Sequence, residues 1–308
     1  MNKILVTGGA GFIGSKVAAN LIEEGYEVHT IDNLSTGQEN NLPNGIKFYK
    51  GDCSDEKLTN KLLKKNQFDS VLHIAGQSSG EISFEDPEKD LRDNVLSTLN
   101  LLKFAKENGC HKFIYASTMS VYGNVKNKII NEFDETKPLS MYAVGKLASE
   151  NYLRIYHSLG IQTVSLRLFN VYGPGQNMQN LKQGMISIYL SQAINDNRIE
   201  VKGSPDRFRD FVYIDDVVDI FNFFNNQYKF DNYENLNVCT GIKTKVSHLL
   251  KTINSKIKSE VPISYIDGTP GDQFGIYGDN SKLLHLMKDF SFTTLDKGLD
   301  SFIKSLNI

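Results

Sequence analysis

"KILVTGGAGFIG", residues 3–14, joins a strand signal to a turn signal. Lys3–Thr7 is almost wholly apolar, as a strand covered on both faces requires. It runs straight into glycines at 8, 11 and 14. This G-x-x-G-x-x-G spacing predicts a tight turn into a helix, with backbone amides pointing outward at the helix N-terminus. Such a turn accepts a pyrophosphate: the missing side chains allow close approach, and the helix dipole favours negative charge. An ordinary glycine-rich turn is the competing reading. It loses weight because this turn opens a strand–helix–strand unit at the start of the chain.

Further strand-like runs follow at Glu27–Asp32, Ile46–Lys50, Ser70–Ala75, Lys112–Ser117 and Thr163–Leu168, and helix-like segments alternate with them at Phe12–Glu24, Asp55–Lys65, Pro87–Asn108 and Ser140–Leu159. The alternation predicts an α/β fold: a doubly wound Rossmann parallel sheet with right-handed crossovers and helices on both faces. After Asn170 the rhythm breaks. "VYGPGQNMQN" reads as loop, and helices are expected at Met185–Asn195, Asp215–Asn226, Val246–Ser259 and Asp279–Met287, with short strands between them. We therefore expect a nucleotide-binding domain over residues 1–169 plus about 210–239, where "RDFVYIDDVVDIFNFF" returns to it. A smaller interleaved substrate domain is expected over about 170–209 and 240–308.

Composition removes several function classes. The 308 residues are 40% hydrophobic and 23% charged, with a formal net charge of -2. Nothing here resembles the basic footprint of a nucleic-acid binder, and no apolar run reaches a membrane span. "MNKILVTGG" reads as a strand rather than a signal peptide, so a cytoplasmic location is expected. Cys53, Cys110 and Cys239 are far apart and form no metal or redox spacing. The six histidines do not cluster, and no metal is expected.

Asp32 closes the second strand 18 residues past Gly14. A carboxylate there can bind both ribose hydroxyls of an adenosine and would repel a 2′-phosphate, which favours NAD over NADP. A turn or capping aspartate is its competing role. Asp52, after the third strand, can take the adenine amino group or cap the next helix. Phe12 and Ile13 in the turn, Asn33, Cys53 beside Asp52, and Ala75 after the fourth strand complete the candidate cofactor contacts.

"TGGAGFIG", Asp32, "HIAG" (73–76), "YASTMSVYG" (115–123), "YAVGK" (142–146), "RLFNVYGPG" (167–175) and "RDFVYIDDV" (209–217) occur in order. Together they resemble the extended short-chain dehydrogenase/reductase superfamily, in its branch of UDP-glucose 4-epimerase-like nucleotide-sugar epimerases and dehydratases. The resemblance implies NAD as cofactor, Tyr142 as catalytic base, Lys146 as its partner and Thr118 as the hydroxyl beside the reacting oxygen. The chemistry explains the Tyr-x-x-x-Lys spacing. A free tyrosine has a pKa near about 10, and a lysine one helical turn away, with the positive nicotinamide nearby, favours phenolate. Ser117 and Ser120 offer the same chemistry and are read as aimed elsewhere. The resemblance also has Lys146 holding the nicotinamide ribose, and Asn94 ordering the strand–helix interface.

The same resemblance places Asn170 and Arg209 on the substrate diphosphate. Arg207 competes with Arg209 and is read as a surface ion pair. Ser78, Ser79 and Glu81 after "HIAG" can face the sugar, although Glu81 also suits a cap or a solvated site. Asp272 survives from a segment in which relatives carry a nucleotide-binding arginine. Here Thr269 and Pro270 stand in its place, so the base stays open among UDP, GDP and dTDP. Where dehydratases carry an acidic pair after the threonine, this chain has Met119 and Ser120. Methionine can act neither as acid nor as base, which argues against elimination of water. The expected activity is NAD-dependent chemistry at C4 of a nucleotide-activated sugar, foremost a 4-epimerase of cell-surface polysaccharide synthesis. A 4-dehydrogenase or 4-ketoreductase is the alternative, and a non-catalytic NAD sensor a remote one. The helices near 87–108 and 140–159 are expected to pair across a twofold axis in a homodimer.

Overall fold

Leu5 points to one side of the central sheet and Ile4 and Val6 to the other, which is why the first strand is apolar throughout. In the computed structural model, which describes residues 2–125, 128–229, 231–257, 260–268 and 273–307, this strand is β1 (Lys3–Thr7), followed by α1 (Phe12–Glu23) and β2 (Glu27–Asp32). The chain goes on through β3 (Lys47–Lys50), α2 (Glu56–Leu63), β4 (Ser70–His73), α3 (Gly80–Glu85), α4 (Pro87–Leu91), α5 (Ser97–Glu107), β5 (Lys112–Thr118), α6 (Met141–Ser158) and β6 (Gln162–Leu168). Then come β7 (Asn170–Tyr172), α7 (Met185–Asn195), β8 (Ile199–Lys202), β9 (Phe208–Arg209), β10 (Phe211–Tyr213), α8 (Ile214–Asn226) and β11 (Glu234–Val238). The last elements are β12 (Thr244–Lys245), α9 (Val246–Ile257), β13 (Ile263–Ile266), α10 (Ser281–Leu286) and α11 (Leu295–Ser305).

The sheet has seven parallel strands in the order β11-β6-β5-β4-β1-β2-β3. Strand order reverses between β1 and β4, and the crevice outside the carboxyl ends of such a pair is where open α/β sheets bind ligands. Ile4 and Val6 pack with Val17 and Leu21 of α1 and with Phe221 and Phe224 of α8. Leu5 packs on the opposite face with Leu101, Phe104 and Leu153. A further apolar cluster joins Ile186 and Leu190 of α7, Ile199 and Val201 of β8, Leu250 and Ile253 of α9, and Leu299 and Phe302 of α11. Two-stranded pairs β8–β13, β9–β12 and β7–β10 accompany it.

The differences from expectation have local causes. β4 ends at His73 rather than Ala75, because the amides of Ile74 and Ala75 both donate to Thr7 Oγ1, each at 3.1 Å. The single helix expected over 87–108 is two helices joined by a π-helical turn, Arg92–Leu96. Ser97 Oγ donates to the Asp93 carbonyl at 2.5 Å and Thr98 Oγ1 to that of Asn94 at 2.7 Å. These hydroxyls occupy carbonyls that the regular ladder would use, and widen the turn. α3 and α11 were not expected. The helix expected to end at Ser259 is described as far as Ile257. No helix among the described residues is long and apolar enough to cross a membrane.

Candidate active site

The glycine turn is closed by contact. Gly8 has φ +73°, and a Cβ there would lie 2.9 Å from backbone atoms of Ala75. A Cβ on Gly14 would lie 2.1 Å from the Gly8 carbonyl oxygen. Gly9, which the motif did not single out, is equally tight: its Cβ would meet Thr30 Oγ1 at 2.4 Å, while its amide donates to that oxygen at 3.0 Å. α1 begins at Gly11 with no side-chain cap, so its first amides are left to a ligand.

Asp32 closes β2 beside this turn. Its carboxylate accepts from the Ala10 amide at 3.0 Å and the Leu34 amide at 2.8 Å. It therefore does fill the turn role, while still lining the cavity. Asn33 Nδ2 donates to Asp52 at 3.1 Å, and the Ser54 amide donates to it at 2.8 Å. Burial pushes the Asp52 carboxyl up, but these donors outweigh it and leave it below its ordinary value. Cys53 is buried, its thiol pushed up by burial. Gly8, Gly11, Phe12, Ile13, Gly14, Asp32, Asn33, Asp52, Cys53 and Ala75 all line one cavity of about 680 Å³.

Thr118, Tyr142 and Lys146 line the same cavity. Ser140 starts α6 by accepting from the Ala143 amide at 3.2 Å, which fixes the turn that carries Tyr142. Lys146 is buried, and its Nζ donates to the Ala116 carbonyl at 3.0 Å. That nitrogen lies 4.8 Å from the Tyr115 ring centre and 5.9 Å from that of Tyr142. Burial pushes Lys146 down to about 8, against the opposing pull of Asp90 and Glu150. Burial pushes the Tyr142 phenol up to about 12, although the Thr118 hydroxyl draws it down. In the protein alone burial is the largest effect on the Tyr142 phenol; the expectation of phenolate also counts on the positive nicotinamide, which acts only when the cofactor is bound.

Thr118 ends β5 and caps the 3-10 turn Met119–Tyr122. Its Oγ1 accepts from the Ser120 amide at 3.1 Å and lies 3.2 Å from Ser120 Oγ. Ser117 is committed elsewhere, donating to Glu150 at 2.5 Å. Glu150 in turn takes two bonds from Arg167, at 2.9 and 2.7 Å. Sequence reasoning missed this buried pair, although "RLFN" holds the arginine.

A second cavity of about 470 Å³ shares Ser78, Met119, Ser120, Asn170, Gln183, Gly184 and Met185 with the first. No carboxylate is among the shared residues. Ser78 Oγ accepts from Gln183 at 2.6 Å. Ser79 lines the second cavity and caps α3, accepting from the Ile82 amide at 3.3 Å. Glu81 faces Lys202 at 3.6 Å across the same wall. Asn170 Nδ2 donates to the Asp210 carbonyl at 3.0 Å. Arg209 is buried and donates to the carbonyls of Phe208 and Gln273, each at 2.8 Å. Arg207 is not the surface residue expected. It is 7% exposed, lines this cavity and donates to the Lys202 carbonyl. Thr269, Pro270 and Asp272 lie outside the described residues. Asp210, which "RDFVY" contains but the reading passed over, accepts from the Thr240 and Gly241 amides at 2.8 and 2.9 Å and so ties the loop after β11 to β9 and β10.

The family model described as "NAD dependent epimerase/dehydratase family" matches residues 4–239. A dTDP-4-dehydro-6-deoxyglucose reductase of Escherichia coli is 30% identical over 315 residues, covering 99% of this chain and 98% of that protein. The crystal structure of UDP-glucose 4-epimerase with UDP-glucose from Thermotoga maritima superposes with a TM-score of 0.93 at 32% identity, covering 99% of this chain and 98% of that one. The Thermus thermophilus UDP-glucose 4-epimerase complex with NAD gives 0.92 at 29% identity, covering 99% of each. A glycine cradle that any added Cβ would fill fits a dinucleotide pyrophosphate. The chain belongs to the NAD dependent epimerase/dehydratase family, and its cofactor is NAD.

Proposed function

We propose that the protein is a nucleotide-sugar 4-epimerase in which Tyr142 is the acid–base group, Lys146 its cationic partner and Thr118 the second hydroxyl on the reacting oxygen. One observation carries this reading. Those three side chains line the same cavity as the glycine turn, and Met119 and Ser120, which follow Thr118 directly, line both that cavity and a second one walled by Arg207 and Arg209. When bound, NAD supplies a hydride acceptor at its nicotinamide and the positive charge that favours phenolate beside it. Gly8, Gly11, Gly14 and Asp32 would hold it.

Tyr142 Oη removes the proton from the C4 hydroxyl as hydride leaves C4, and Thr118 Oγ1 hydrogen-bonds the same oxygen. The resulting 4-keto sugar turns over. Hydride returns to the opposite face of C4, and Tyr142 gives the proton back to the oxygen. Proton and hydride are both restored, so the net change is inversion at C4. Arg209 and Asn170, with Arg207 beside them, suit the diphosphate, because a guanidinium binds phosphate oxygens in pairs. The Glu81–Lys202 pair lines the same cavity. Incubation with a panel of UDP-, GDP- and dTDP-hexoses, with products separated and identified, tests the reading. Appearance of a C4 epimer is the expected result, and conversion of none of them counts against it.

The full-length similarity to the reductase from Escherichia coli favours one second reading, a 4-ketoreductase using the same three residues. It is distinguished by net consumption of NADH with a 4-keto nucleotide sugar and by failure to interconvert epimers.

The same proposal includes a homodimer. Met141, Val144 and Ile155 share one face of α6 by spacing. Val144 is 54% and Ile155 49% exposed, and Leu91, on the adjacent α4, is 58% exposed. An apolar stripe of this kind is buried by a second copy. Light scattering at micromolar concentration should give twice the chain mass of 34.6 kDa. A chain that stays monomeric there has no stable dimer through these helices.

A further inference from the structure

We propose that Asp90 is a positioning residue for the active site: its buried carboxylate is the counter-charge that keeps Lys146 an ammonium and sets the proton affinity of Tyr142. This rests on the roles given to Tyr142 and Lys146 above. Asp90, on α4, is 1% exposed. Two neutral amides hold one of its oxygens, Gln77 Nε2 at 2.8 Å and Asn94 Nδ2 at 3.1 Å. Its other oxygen lies 3.5 Å from where a Cβ on Gly145 would be, so the missing side chain lets α6 come close to this carboxylate. The π-helical turn supplies Asn94, whose own Oδ1 is buried without a partner. A Cβ on Gly76 would meet that oxygen at 2.5 Å and Lys146 Nζ at 3.4 Å, which places amide and ammonium around one point.

Two carboxylates act on Lys146, Asp90 more strongly than Glu150. Glu150 is already balanced by the two-pronged bond from Arg167. Asp90 receives neutral donors, so its charge is left for Lys146. The other charged groups around Asp90 do not replace that pairing. Asp93, on the π turn, is a like charge and is itself paired with Lys89. On α3, Glu81 and Glu85 face Lys202 and Lys182, at 3.6 and 2.7 Å. From α6, Tyr142 feels Asp90 as a charge that opposes its ionisation. Burial pushes the Asp90 carboxyl up to about 6, against the pull of Gln77, Lys146 and Asn94, so it is charged at and above neutral pH.

Removing that charge lets both groups lose their protons at lower pH. Activity needs phenolate at Tyr142 and ammonium at Lys146, so both limbs of the kcat–pH profile should move together. In Asp90→Asn we expect a downward shift of about one pH unit in each limb, the size of a partly screened charge pair. With the basic limb moving from about 8 to about 7, kcat at pH 8 should fall about fivefold with KM nearly unchanged. Ultraviolet difference titration against Tyr142→Phe should show the Tyr142 phenol ionising at lower pH in the Asp90→Asn chain. Asp90→Glu, which restores the charge, should return the limbs towards their original positions. Gln77→Leu is the milder variant should Asp90→Asn not fold. It keeps the carboxylate but weakens its hold on the charged state, and should move the acid limb the same way by less. Unmoved limbs and an unmoved Tyr142 titration in these variants would make Asp90 merely structural and overturn the inference. A Tyr142→Phe enzyme of undiminished rate would instead overturn the reading on which it rests.

Discussion

Tyr142→Phe should slow interconversion of the epimers by roughly two to four powers of ten, the usual worth of a positioned acid–base group. The fold and the bound NAD should be unaffected. Only one oxygen is lost, from a ring that is already 9% exposed within α6, and the ring keeps its packing. Two measurements check this: the rate under saturating substrate, and the NAD released on denaturation. A variant that lost NAD as well would point to a structural effect. One that turned over normally would move the proton transfer to another group, and Thr118 would be the first to substitute.

Gly14→Ala should be nearly as damaging, through binding instead of chemistry. The new Cβ would sit 2.1 Å from the Gly8 carbonyl oxygen and 2.7 Å from its carbonyl carbon. Both are backbone atoms and cannot swing aside, so the turn must open. Overpacking of this kind costs about 1–3 kcal/mol, and the shift falls on the amides that face the pyrophosphate. We expect NAD affinity to drop by about tenfold to more than a hundredfold, with a lower melting temperature. Equilibrium dialysis with NAD and a thermal melt read the two effects separately. Wild-type affinity in this variant would mean that the turn does not hold the dinucleotide.

The strands and the glycine turn were legible because each carries its own signal. β1 is apolar on both sides because both sides are covered, and Gly8, Gly11 and Gly14 follow it directly. Tyr142 and Lys146 line the cavity together, as their one-turn spacing allows, while the roles proposed for them come from the resemblance that the ordered motifs carry. What escaped was decided by partners distant in sequence. The π turn forms because Ser97 and Thr98 capture carbonyls four residues back, a choice that the apolar spacing of "VLSTLNLL" does not reveal. Arg207 read as a surface ion pair because burial of a guanidinium is invisible until the Lys202 carbonyl is placed against it. Asp90 sits in "PEKDLRDN", a run of charges in which nothing marks one for burial. It is buried because α6 offers Gly145 opposite it. Spacing places the lysine beside Tyr142 but says nothing of the cost of burial, which in the protein alone pushes the phenol up.

The central claim is that hydride leaves C4 and returns to the same carbon. A nucleotide hexose carrying deuterium at C4, converted in ordinary water and examined by NMR, tests it most directly. The account predicts that the epimer formed keeps its deuterium at C4, with no net NADH and no exchange with solvent at C5. Label accumulating in reduced cofactor beside a 4-keto sugar, or a 6-deoxy product with solvent hydrogen at C5, would contradict it.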